Sequence, residues 1–134
     1  MLKSTLGIVC VVSLLASLTA CALLEETRYA SQKKITENNM RSVRVALMRY
    51  ETDMGSLPSK SDGMDVLLEN PNHEKWAGPY IKDKSYQDAW GQELVYEPTG
   101  TENAFKLISG GPDKVIGTED DIVLLRAVFE QTRE

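Results

Sequence analysis

The residues best suited to chemistry lie near the C-terminal end, in Ser109-Gly-Gly-Pro-Asp113-Lys-Val-Ile-Gly117-Thr-Glu-Asp120-Asp121. Asp113, Asp120 and Asp121 offer hard carboxylate oxygens, and the glycines let the backbone turn so that carbonyls face inward. Such a loop suits Ca²⁺, which takes about six to eight oxygen ligands in a flexible geometry. Adjacent Asp120 and Asp121 repel each other unless they are solvated, cap a turn or share a cation. An ordinary acidic turn and a calcium loop both satisfy the pattern. It is not an EF-hand, because Leu124 holds the twelfth position from Asp113, where that motif has Glu. With no His or thiol nearby, zinc is disfavoured.

Little else in the chain looks reactive. His73 is the sole histidine, in Asn70-Pro-Asn-His-Glu74, and no Gly-x-Ser-x-Gly pattern accompanies it. It reads as a solvated loop residue, and nothing singles out Glu69 and Glu74 as a catalytic pair, so a small cell-envelope hydrolase is the weakest reading. Trp76, Tyr80 and Trp90 sit in an irregular segment, where rings either pin the loop to a core or form a binding platform; the first is preferred. Fifteen Lys and Arg against twenty Asp and Glu leave a net charge of −5. That balance excludes a basic nucleic-acid footprint, and no small-molecule substrate is evident.

The N-terminus has the three-part layout of an export signal: Lys3, an apolar stretch from Leu6, then small residues. Leu18-Thr19-Ala20-Cys21 resembles the lipobox of bacterial lipoproteins, which implies cleavage before Cys21 and acylation of that cysteine. Several acyl chains hold a protein on a membrane where one does not. The alternative is an uncleaved anchor, since the run from Leu6 to Leu24 carries no charge and is just long enough to span a bilayer. The expected organisation is a signal peptide over 1–20, a tether or helix start over 21–39, and a globular domain over 40–134.

The elements that must position the acidic loop follow from periodicity. Met40, Val43, Leu47, Tyr50 and Met54 recur at helical spacing, with Gly55 as a stop and Pro58 beyond. Residues 61–68 read as a short capped helix closed by Asn70-Pro71. Segment 93–97 alternates as a strand, 105–109 and 122–125 read as the next two strands, and the tail from Arg126 to Glu134 is expected as a fraying helix. The fold class is α+β, a long helix on a small three-stranded antiparallel sheet.

Residues from about 40 to 125 resemble the C-terminal domain of the major pseudopilin of the type II secretion system, the general secretion pathway protein G family. The resemblance runs in order through Ala46-Leu-Met-Arg-Tyr50, Asp53-Met-Gly-Ser-Leu-Pro58, Gly63-Met64 with Leu67-Leu68 and Pro71, Trp76, Gly78-Pro-Tyr-Ile-Lys82, Asp88-Ala-Trp-Gly91 (the family usually has Pro at 89), Tyr96, Pro98, Ile108-Ser109 and the acidic loop. It implies a pilin-like fold and a structural Ca²⁺ held by Asp113, Asp120 and Asp121 with the carbonyls of Gly110 and Thr118. The chain departs from the family at its start. Gly7 is followed by Ile8-Val-Cys-Val-Val12, without the Glu and peptidase site of a pilin-type leader. The combination implies a non-enzymatic, lipid-anchored relative facing the periplasm, with other pseudopilins or secretion components as partners. Ala22 after Cys21 favours the outer over the inner membrane. A true pseudopilin with an unusual anchor, assembling into the pseudopilus, is the alternative. Mass analysis is expected to give a mature N-terminus at acylated Cys21, with cleavage blocked by globomycin and acylation abolished by Cys21→Ser; an unacylated, uncleaved start would establish the anchor instead.

Overall fold

A computed structural model describes residues 2–82, 86–100 and 103–126, with side chains from Ala20 onward. The chain divides into two compact units, Met1–Gln32 and Lys33–Glu134. One helix, α1 (Leu2–Met54), runs through the first and into the second. Residues 22–39 are therefore helical rather than a linker. The side chains of most of the signal segment and the whole tail after Arg126 lie outside the described residues. Among those described, no helix is long and apolar enough to cross a membrane.

In the second unit the stripe on α1 is buried as its spacing requires: Met40, Val43, Ala46, Leu47 and Tyr50 face the core. Gly55, at φ +84, ends the helix in the left-handed conformation that side chains resist, and its N–H donates to Glu51 O at 2.8 Å. The helix expected over 61–68 shrinks to one 3-10 turn, Asp65–Leu67. Two local features explain the loss. Ser59 and Asp62 bond each other, with Ser59 Oγ donating to Asp62 Oδ2 at 2.6 Å, and Gly63 takes φ +64, which a right-handed helix cannot continue.

The sheet is an antiparallel meander in the order β1 (Val95–Pro98), β2 (Phe105–Ser109), β3 (Ile122–Arg126). β1 begins later than its alternation suggests because Glu93 pairs with Gln87 in an isolated bridge and Leu94 N–H donates to Tyr86 O. Register places Leu107 opposite Tyr96 on one side and Leu124 on the other. Phe105 and Leu107 are fully buried and share the core with the α1 stripe, Leu94, Tyr96 and Ile122. Arg126 closes the end of β3 onto α1 through a 2.6 Å ion pair with Glu51.

The aromatic segment is pinned to this core. Trp76 Nε1 donates to Val66 O at 2.8 Å, and Tyr80 OH donates to Asp53 Oδ2 at 2.8 Å. The Tyr80 ring meets both Tyr50 and Trp76 edge-on with centroids 5.7 Å apart. The polar edges of Trp76 and Tyr80 are thus used internally, as expected of a local core rather than a ligand platform.

Tyr96 donates its hydroxyl to Pro58 O at 2.9 Å in the interior. Burial first, then the nearby Glu51 and Tyr50, pushes its phenol up to about 12. A folded-state value above the unfolded one near 10 favours the neutral form, so the associated stability is complete below about pH 10 and is lost as pH rises towards 12. Urea unfolding should therefore show a plateau up to about pH 10 and a decline above it. Tyr96→Phe is expected to lower the plateau by about 1–2 kcal/mol, for the carbonyl left unpaired, and to shallow the decline.

Candidate functional site

Residues 110–121 connect β2 to β3, and the pairing of Ser109 with Ile122 closes the neck of this loop. It opens with a 3-10 turn, Gly111–Asp113, that has Pro112 in its first turn. Gly111 takes φ +63, and a Cβ there would stand 2.4 Å from the Asp120 carbonyl oxygen. The two limbs of the loop therefore touch at a point where only glycine fits. A Cβ on Gly110 would likewise lie 2.9 Å from the backbone of Lys114 and Val115.

The side chains then fold back onto this frame. Asp113 Oδ1 accepts from Val115 N–H at 2.9 Å, and Asp121 Oδ2 accepts from Gly117 N–H at 2.8 Å. Thr118 Oγ1 donates to Val115 O at 3.2 Å, and Thr118 O accepts from Asp121 N–H at 3.3 Å. Asp121 Oδ1 is enclosed and has no hydrogen-bond partner among the described residues. A carboxylate oxygen held from water without a donor is costly, and proteins normally pair such an atom or give it a cation. All donors here are oxygens, which fits a hard ion such as Ca²⁺ and not a thiophilic one.

The structure joins some of the sequence-selected residues and not others. Asp121 closes on the Gly117–Thr118 turn, and Asp120 abuts Gly111 through its backbone. Asp113 stands on the 3-10 turn, tied to its own next-but-one residue. Among the described residues, no three His, Cys, Asp or Glu side chains group closely enough to hold a metal by themselves. A cation in this loop would thus depend on backbone carbonyls and water to complete its shell. Thr118 O retains a second lone pair for that purpose. His73 is exposed, its Nδ1 accepting from Lys75 N–H at 3.2 Å. Cys21 is free and exposed on α1, in the first unit.

Sequence reasoning missed Asp88 as a participant. It is buried, and it accepts from Trp90 N–H, Gln92 N–H and the Ser109 hydroxyl at the foot of the acidic loop. The available signal was Asp88-Ala-Trp-Gly91, an aspartate three residues before a glycine, which is turn chemistry; Gly91 indeed takes φ +81.

The family described as type II secretion system (T2SS), protein G, matches residues 23–125. The type II secretion system core protein G of Escherichia coli K12 is 30% identical over 119 residues, spanning 86% of this chain and 81% of its own length. That of Xanthomonas campestris pv. campestris is 32% identical over 79 residues, 59% of this chain and 54% of its own. The crystal structure of the major pseudopilin from the type 2 secretion system of enterohaemorrhagic Escherichia coli superposes with a TM-score of 0.61 at 24% identity, covering 75% of this chain and 91% of that one; this likeness is one of fold. The chain belongs to the type II secretion system protein G family, a family of structural pseudopilins, and is not an enzyme.

Proposed function

We propose that the chain is a membrane-tethered pseudopilin-like subunit of the cell envelope, facing the periplasm and serving type II protein secretion, with Ca²⁺ stiffening its acidic loop. The observation that carries the calcium reading is the enclosed Asp121 Oδ1, unpartnered among the described residues, in a loop whose candidate ligands are all oxygens. Asp121 would hold the ion with the carbonyls of Gly110 and Thr118, and Asp113 and Asp120 would join it only on closing in from where they stand, since the three carboxylates do not group as a site in this structure. When bound, it supplies positive charge that offsets carboxylate repulsion. The role of these residues is mechanical: they keep the β2–β3 connection in one shape, so that its exposed surface is the same for each docking partner. By kinship those partners are other pseudopilins or secretion components. The lipid on Cys21, and sorting to the outer membrane, enter this reading from the sequence around Cys21.

A second reading has the chain copolymerise as a pseudopilin with an atypical anchor. It is favoured by α1, which runs from Leu2 to Met54 without a break. The N-terminal mass separates the two.

Calcium removal tests the first reading. In protein shown by atomic emission to contain Ca²⁺, chelation should lower Tm and speed proteolysis between β2 and β3. At a free concentration of about 100 Kd the ion contributes about 2.7 kcal/mol. Asp120→Ala should abolish the response to chelator. Gly111→Ala should lower Tm even without calcium, because its Cβ meets the Asp120 carbonyl. Unchanged Tm and proteolysis on removal of bound calcium would end the structural role.

A further inference from the structure

A buried carboxylate outside the acidic loop reaches its backbone through one hydroxyl. Asp88 is 5% exposed; its Oδ1 accepts from Trp90 N–H at 2.9 Å and Gln92 N–H at 2.8 Å. Its Oδ2 accepts from the Ser109 hydroxyl at 2.7 Å. Ser109, 1% exposed at the end of β2, in turn accepts at Oγ from Gly111 N–H at 3.2 Å. Gly111 is the residue that abuts the Asp120 carbonyl. Asp88, Ser109, Gly111 and Asp120 thus form one file of contacts leading into the loop.

The other end of the file is fixed to α1. Ala89 N–H donates to the buried Thr36 hydroxyl at 3.0 Å, and Asn39 Nδ2 donates to Gln87 O at 2.8 Å. The turn carrying Asp88 is therefore held to the helix on both sides of that aspartate. A carboxylate acceptor strengthens the O–H bond it receives and, through it, the hydroxyl oxygen as an acceptor.

We infer that Asp88 and Ser109 are positioning residues for cation binding by the acidic loop, acting through Gly111 N–H; the inference rests on the calcium reading above. Gly111 has no side chain to hold its conformation, and the Ser109 hydroxyl restrains its N–H. Loss of that hydroxyl frees the limb at 110–113 to swing from Asp120, and the carbonyl at Gly110 moves with it. Neither Asp88 nor Ser109 touches the ion.

The test titrates the full chain in detergent with Ca²⁺ by calorimetry and records Tm in EGTA and in saturating Ca²⁺. Ser109→Ala should weaken Ca²⁺ binding about tenfold, the low end for loss of a group supporting a metal ligand. The calcium-dependent rise in Tm should shrink accordingly. Ser109→Thr, which keeps the hydroxyl, should recover the affinity even where its extra methyl lowers Tm. If Ser109→Ala does not fold, Asp88→Asn replaces it, because the amide still accepts from Trp90 and Gln92; a several-fold weakening is expected. Wild-type affinity in the folded variant, with Tm lowered equally in EGTA and in calcium, would reduce the file to structural bracing and overturn the inference while leaving the calcium reading intact. Absence of calcium binding by the wild-type chain would overturn both.

Discussion

Phe105 and Leu107, fully buried on the central strand, share one core with Met40, Val43, Leu47 and Tyr50 of α1, and the positions of the other parts follow from that seating. Strand residues alternate between faces, so turning Phe105 and Leu107 inward also turns Ser109 inward. Ser109 is where the acidic loop begins. Burying each large apolar side chain contributes about 1.5–3 kcal/mol, whereas a typical hydrogen bond contributes about 1 kcal/mol net. The apolar seat therefore sets the register of β2, and the polar contacts at its end are made in the place that register leaves them.

Where regular structure stops, side chains take over the pairing of backbone groups. Trp76 satisfies Val66 O, Tyr96 satisfies Pro58 O, and Asp88 gathers two backbone N–H groups and a hydroxyl. Among its described residues the long segment between α1 and β1 has only the isolated Gln87–Glu93 bridge, so these bonds and the aromatic edges pin it to the core. Against this background Asp121 Oδ1 is the exception among the described residues. Among the described residues the other buried side-chain polar atoms are paired, so this oxygen is the one that carries an unmet desolvation cost.

Membership of the protein G family makes this a structural part rather than an enzyme. The acidic groups sit on a connection between strands, the sole histidine bonds within its own turn, and the rings of Trp76 and Tyr80 spend their polar edges on the fold. The calcium reading adds a reason for the glycines: Gly111 brings opposite limbs of the loop into contact, which stiffens the connection only if the repelling carboxylates are neutralised or kept solvated. The resemblance noted at the sequence level and the matched family coincide over the globular part. The lipobox-like start stands on its own residues.

Much of the fold was legible because its determinants are local. Helical spacing located the α1 stripe, Gly55 marked its end, and short strand-like apolar runs placed β2 and most of β3. Locality also explains the errors. Residues 22–39, which the sequence left open between a tether and a helix start, are helical, since no Pro or Gly interrupts them, and 61–68 carried a capping pattern that Gly63 turned aside. In the site, the sequence by itself determined which oxygen donors are available and where the backbone must bend. Only the tertiary structure decided which of them are shut away from water. It left Asp121 Oδ1 without a partner among the described residues and set Asp88, far along the chain, against Ser109. The reason is that burial and pairing depend on what packs from distant positions, and no spacing within a loop encodes what will lie across from it.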